Sequence, residues 1–204
     1  MSSVGCPTAI RILLLEDSAL DAELIEMQLN AANLNHAMDR VWTLDAFETT
    51  VGERRHDVIL SDHLLRGFDG HDALAVVQKL VPDVPFIFVS GTLSEELAVQ
   101  ALKQGARDYV VKQRLQRLPD AILRALRENE EREKLVDAED RLRHSQQQLL
   151  LMTDALPALI AHIGLDDRYR FGNDAHHLWF GISPEVLAGM KVSEVLGAVA
   201  SAEI

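Results

Sequence analysis

The feature that most constrains this chain is a fivefold alternation, between residues 10 and 117, of short apolar runs with segments of helical spacing. The runs are Ile10–Leu15, His36–Trp42, Val58–Ser61, Phe86–Ser90 and Asp108–Val111. Most are almost continuously apolar, the pattern of strands buried on both faces rather than on one. Between them lie helical segments. The first carries Leu20, Leu24, Met27 and Leu29 after an N-capping Ser18, and the second runs from Leu44 to Val51. The third runs from Asp72 to Leu80, with Ala73, Leu74, Val76 and Val77 as its buried stripe. The fourth opens at Ser94-Glu95-Glu96, with Leu97, Val99, Ala101 and Leu102 inward, and Gly105 stops it. Regular strand-helix alternation predicts an α/β fold, a doubly wound five-stranded parallel sheet with helices on both faces.

In such a sheet the residues just past the strand ends converge on one edge, where open α/β folds bind ligands. Here these residues are Glu16, Asp17, Asp62, Ser90 and Lys112. Three acids at two strand ends make an oxygen-rich pocket suited to a hard divalent cation such as Mg²⁺. A lone Asp at a strand end would be an ordinary turn former or helix cap. It is the convergence of five such residues that points to chemistry.

The ordered set Glu16-Asp17, Asp62, Ser90 and Lys112, with Asp69-Gly70 following Asp62, resembles the receiver domain of two-component response regulators over residues 9 to 117. The resemblance implies that Asp62 is the phosphoacceptor, taking a phosphoryl group from a histidine kinase or phosphotransfer protein. It implies that Asp17, Asp62 and the backbone carbonyl of Leu64 ligate Mg²⁺, with Glu16 acting through a water. Lys112 and Ser90 would contact phosphate oxygens, and Ser90 with Tyr109 would form the switch. The sequence departs from the family in two places: Arg66 and Gln113 stand where prolines are usual. His63, next to the phosphoacceptor, reads as a solvent-exposed rim position. Two rivals stay open. An Asp-nucleophile phosphatase would want a second acid where Leu64 stands, and a phosphorylation-independent dimerisation scaffold is kept alive by Arg66 and Gln113. The expectation is a signalling module, not a turnover enzyme.

A fifth helix is predicted from Gln113, with Leu115, Leu118, Ile122, Ala125 and Leu126 inward. It runs on through a mixed-charge stretch in which Leu135, Leu142, Leu149 and Leu156 recur every seven residues. That spacing predicts a parallel two-stranded coiled coil, and so a homodimer through residues 113–153. Then come a strand-like segment Leu156–Ile163 around the break at Pro157, a turn at Asp166-Asp167-Arg168 and a strand Tyr169–Asn173. Gly181, Ser183-Pro184-Glu185 and Gly189 follow. This part resembles the N-terminal half of an α+β PAS sensor domain, which implies a truncated domain with no bound cofactor and a longer protein with a further output domain. His162, His176 and His177 are expected at the surface or in turns. The domain reading is therefore a leader at 1–9, a receiver at 10–117, a helical linker at 118–153 and a partial PAS domain at 154–204.

A net charge of -12 and the lack of a DNA-binding motif argue against a nucleic-acid partner. Cys6 is the one cysteine, and no signal peptide or membrane-length apolar run is present, so a cytoplasmic setting is expected.

Overall fold

The computed structural model describes residues 9–53, 55–91, 95–195 and 197. The leader with Cys6 and the residue Ser94 therefore lie outside the described residues, apart from Ala9. The chain divides into two compact units, Met1–Lys134 and Leu135–Ile204.

In the first unit, β1 (Ile10–Leu15), β2 (His36–Val41), β3 (Val58–Ser61), β4 (Phe86–Ser90) and β5 (Asp108–Val111) form one sheet. Its order is β2-β1-β3-β4-β5, and every pairing is parallel. Alternate residues of each strand face opposite sides. Ile12, Leu14, Val58, Leu60, Ile87 and Val89 pack with α1 (Ala19–Ala31) and with the first turns of α5 (Leu118–Asp154). Leu13, Leu15, Ile59, Phe86 and Phe88 pack on the other side with α2 (Leu44–Gly52), α3 (Gly70–Leu80) and α4 (Glu95–Lys103). Burying one such side chain fully contributes about 1.5–3 kcal/mol, and these strand residues are almost wholly buried. The five strands and the two-sided winding follow the sequence reading.

The helices depart from it in detail. On α1 the buried residues are Ala22, Ile25 and Leu29, while Leu20, Leu24 and Met27 point outward. Two apolar stripes on this helix satisfy helical spacing, and periodicity cannot say which one the sheet takes. On α4 the small Ala101 is buried and Val99 and Leu102 are exposed. Helix α3 starts at Gly70, two residues earlier than expected, because Asp69 and Asp72 form a capping box. Between β3 and α3, Leu64–Leu65 pairs antiparallel with Phe68–Asp69 in a two-residue ribbon. After β5 the chain does not enter an α-helix at once. A 3-10 turn, Lys112–Arg117, comes first, with Arg114 off the helical backbone, and α5 follows at Leu118. Leu115, Leu118, Ile122 and Ala125 are buried as expected, with Leu126 packed against them.

In the second unit, β6 (Ala161–Ile163) and β7 (Tyr169–Gly172) form an antiparallel hairpin. The strand expected from Leu156 forms only from Ala161. Asp167 takes the left-handed conformation that closes the turn. Helices α6 (Ala175–Phe180) and α7 (Pro184–Leu187) follow. The fully buried Asn173 ties the preceding chain to the hairpin: its amide group donates to Thr153 O and Ala158 O, and its Oδ1 accepts from Ile160 N. His162 and His177 are exposed as expected, but His176 is not. It is 3% exposed and packs edge-on against Tyr169, because it faces the small core of Tyr169, Leu187 and Val195.

Candidate functional site

Sheet register brings the site together. Leu15 pairs with Ser61, so Glu16 and Asp62 leave adjacent strands at the same level, and Asp62 N donates to Leu15 O at 2.9 Å. Ser90 pairs with Val111, which puts Lys112 at the same edge. Arg40 on β2 clamps the acidic pair from behind, its Nε donating to Glu16 O and a terminal guanidinium nitrogen to Asp17 O.

Lys112 is the hub. Its Nζ lies 2.7 Å from Glu16 Oε2, 2.7 Å from Asp62 Oδ2 and 2.5 Å from Asp21 Oδ2. The other Glu16 oxygen accepts from Ser18 N, and Asp62 Oδ1 accepts from Leu64 N at 3.3 Å. Burial pushes the Glu16 carboxyl above the usual carboxylate range, and the Lys112 and Ser18 hydrogen bonds only partly offset it. Burial pulls Lys112 the other way, but hydrogen bonds to Asp21, Asp62 and Glu16 outweigh it and hold the ammonium above the ordinary lysine range. Three carboxylates against one ammonium leave two negative charges. These carboxylate oxygens lie within 4.8 Å of one another, so the donor set has the charge and chemistry for a hard divalent cation.

The structure assembles Glu16, Asp62 and Lys112 directly, with Ser90 buried at the same edge. Asp17 is turned elsewhere: its Oδ2 pairs with Arg66 Nε at 3.0 Å. Asp21, on the first turn of α1, takes a place among the acids, and the sequence reading missed it. Its only signal was the Ser18-x-x-Asp21 spacing, which reads as a helix cap, and Ser18 Oγ does accept from Asp21 N. Leu64 folds its amide over the Asp62 carboxylate. Gln113 donates from its side chain to Gly91 O beside Ser90, and all described peptide bonds are trans. Tyr109 is 8% exposed, its ring 6.2 Å from that of Phe88. His63 is not at the rim. It is 5% exposed, with its ring among Phe88, Tyr109 and His71. Consecutive residues leave a strand on opposite sides, so Asp62 faces the pocket and His63 faces the core.

Residues 12–123 match the family described as Response regulator receiver domain. The chain is 35% identical over 100 residues to the regulatory protein LuxO of Vibrio cholerae, covering 48% of this chain and 21% of that protein. The chain thus spans about a fifth of that relative's length. The signal receiver domain of a putative LuxO repressor protein from Vibrio parahaemolyticus superposes with a TM-score of 0.55 at 22% identity, covering 62% of this chain and 97% of that one. A beryllofluoride-activated NtrC4 receiver domain dimer gives 0.51 at 26% identity, covering 58% and 98%.

Proposed function

We propose, from the premise that this chain belongs to the response regulator receiver domain family, that Asp62 accepts a phosphoryl group from a phosphohistidine on a kinase or phosphotransfer partner. The observation that carries this reading is the Lys112 ammonium held within 2.5–2.7 Å of Glu16, Asp21 and Asp62. In the transfer, an Asp62 carboxylate oxygen forms the new bond to phosphorus. The phosphorus–nitrogen bond of the donor breaks, and the imidazole keeps the electron pair and takes up a proton. Phosphoryl transfer needs alignment and charge stabilisation above all. Lys112 pairs with one phosphoryl oxygen, and Ser90 donates its hydroxyl to another. Asp62, Asp17, the Leu64 carbonyl and Glu16 would hold Mg²⁺, which when bound would supply the positive charge that lets an anionic phosphate approach this cluster. Asp21 adds a further anionic oxygen.

The product is an acyl phosphate on the protein, so the module is a switch and not a turnover enzyme. Ser90 and Tyr109 lie on neighbouring strands of the sheet, a placement that suits coupling of phosphate binding to the α4–β5 face. Outward-facing Leu20, Leu24 and Met27 on α1 supply apolar surface on the helix that carries Asp21, suited to a helical phosphodonor.

Leu135, Leu142 and Leu149 are each more than half exposed along the long helix, an apolar seam that supports dimerisation through residues 113–153, while Leu156 lies past the helix end at Asp154. The hairpin, Asn173 and the two short helices of the second unit support its reading as the N-terminal part of a PAS domain. The acidic balance supports a protein without a nucleic-acid partner, and a single cysteine suits a cytoplasmic setting. Among the described residues, no helix is long and apolar enough to cross a membrane.

The test is incubation with acetyl phosphate and Mg²⁺ followed by intact-mass measurement. One phosphoryl adduct is expected on the wild type and none on Asp62→Asn. An equal adduct on the variant, or none on either, overturns the proposal.

A further inference from the structure

We propose that His63, Asp69 and His71 form a second metal site, for a borderline transition-metal ion such as Zn²⁺, separate from the acidic pocket. One ligand atom from each of these side chains lies within 4.8 Å of the other two. The loop after β3 makes this possible. Leu64 pairs with Asp69 in the two-residue ribbon, and Gly70 N donates to His63 O at 3.0 Å. Gly70 also allows the close approach: a Cβ there would stand 2.5 Å from Asp62 O and 2.7 Å from Phe88 Cε1. The turn thus folds the start of α3 back onto the residue that follows Asp62.

The second observation is polar and independent of that proximity. His63 is 5% exposed, and the Nδ1 atoms of both His63 and His71 are buried without a hydrogen-bond partner. Native proteins rarely leave buried polar atoms unpaired, and two on adjacent rings call for a common explanation. Packing alone does not supply one. The rings meet edge-on, 5.0 Å apart, and each touches Phe88, where an aliphatic side chain would fill the space with no polar atom to desolvate. A shared cation would satisfy imidazole nitrogens that hydrogen bonding leaves bare.

The donor set selects the ion. Two imidazoles and a carboxylate suit Zn²⁺ and its neighbours, whereas the carboxylate-only pocket at Lys112 suits Mg²⁺. Three protein ligands with an open fourth position are a familiar zinc arrangement. Tetrahedral ligands at about 2.0–2.1 Å stand about 3.3 Å apart, so the cluster closes by an ångström or so of side-chain movement. Charge also balances. Asp69 and the adjacent Asp72, whose Oδ2 accepts from Asp69 N, offset the ion at the positive end of the α3 dipole. The more open Asp69 offers the way in. Bound there, the ion ties the residue after Asp62 to the head of α3.

The test uses the full chain with the acidic pocket saturated with Mg²⁺, titrated with Co²⁺ as a spectroscopic probe and then with Zn²⁺. One equivalent of Co²⁺ with tetrahedral visible bands is expected, displaced by one equivalent of Zn²⁺. His71→Gln weakens Zn²⁺ binding by more than about tenfold. Asp62→Asn leaves it unchanged. In ¹⁵N spectra of the wild type, Zn²⁺ moves the ring nitrogens of His63 and His71 and of none of the other histidines, a readout that does not depend on a variant folding. The proposal is overturned by no uptake in the presence of Mg²⁺, by shifts on other histidines, or by Zn²⁺ binding that survives His71→Gln and disappears in Asp62→Asn.

Discussion

Arg66→Ala should tighten Mg²⁺ binding. Arg66 stands where receivers usually carry proline, and its Nε holds Asp17 Oδ2 at 3.0 Å, away from the Lys112 cluster. Asp17 must give up that partner before it can turn to a cation. The Arg66 side chain is 93% exposed and that of Asp17 20%, so the pair sits largely in water. Exposed pairs of this kind contribute about 0.2–1 kcal/mol. Since about 1.4 kcal/mol is tenfold in affinity, the expected gain is about 1.4- to 5-fold, shrinking as salt rises. Removing a positive charge near an acidic pocket would also help a cation at long range, so the single variant is not enough. Calorimetric Mg²⁺ titration of wild type, Arg66→Ala, Asp17→Asn and the double variant separates the two effects. The part of the gain that comes from freeing Asp17 should vanish in the Asp17→Asn background, leaving only the smaller long-range part. Weaker or unchanged binding in Arg66→Ala, or an equal gain with Asp17→Asn present, refutes the reasoning.

Lys112→Ala strips three carboxylates of their shared cation, and should cost about 3 kcal/mol of stability in Mg²⁺-free urea unfolding, with most of it restored by Mg²⁺; a loss that Mg²⁺ does not reduce contradicts the hub role. Glu16 has a raised folded-state pKa, so its contribution to stability is full below its unfolded value of about 4.5 and is lost as pH rises through the folded value. Glu16→Gln should therefore be comparatively more stable at pH 7 than at pH 5 relative to wild type, and urea midpoints showing the opposite trend would discard this sign. Cysteines placed singly at Leu142 and Leu149 should crosslink into dimers under mild oxidation, and persistent monomer at both positions removes the coiled coil.

The parallel sheet was legible because strands buried on both faces need unbroken apolar runs, and few other structures do. The edge followed from it, since Glu16, Asp62 and Lys112 are the first residues past their strands and Ser90 ends its own. What stayed hidden depended on choices between equivalent local patterns. Leu20-Leu24-Met27 and Ala22-Ile25-Leu29 both have helical spacing, and only packing decides which faces the sheet. Asp21 in place of Asp17 beside Lys112 is a side-chain decision, made by Arg66, which no periodicity reports. The burial of His63 depends on a two-residue ribbon and a capping box that return the chain within a few residues. In the long helix the leucine repeat was plain, and Leu135, Leu142 and Leu149 stand exposed along it.

The most direct test of the account is the ¹⁹F spectrum of the protein with beryllofluoride, a mimic of the phosphoryl group. Bound fluorine resonances should arise in the wild type only when Mg²⁺ is present, and should be absent from Asp62→Asn. Resonances that persist without Mg²⁺, or in Asp62→Asn, would contradict a single cation-and-phosphate pocket centred on that carboxylate.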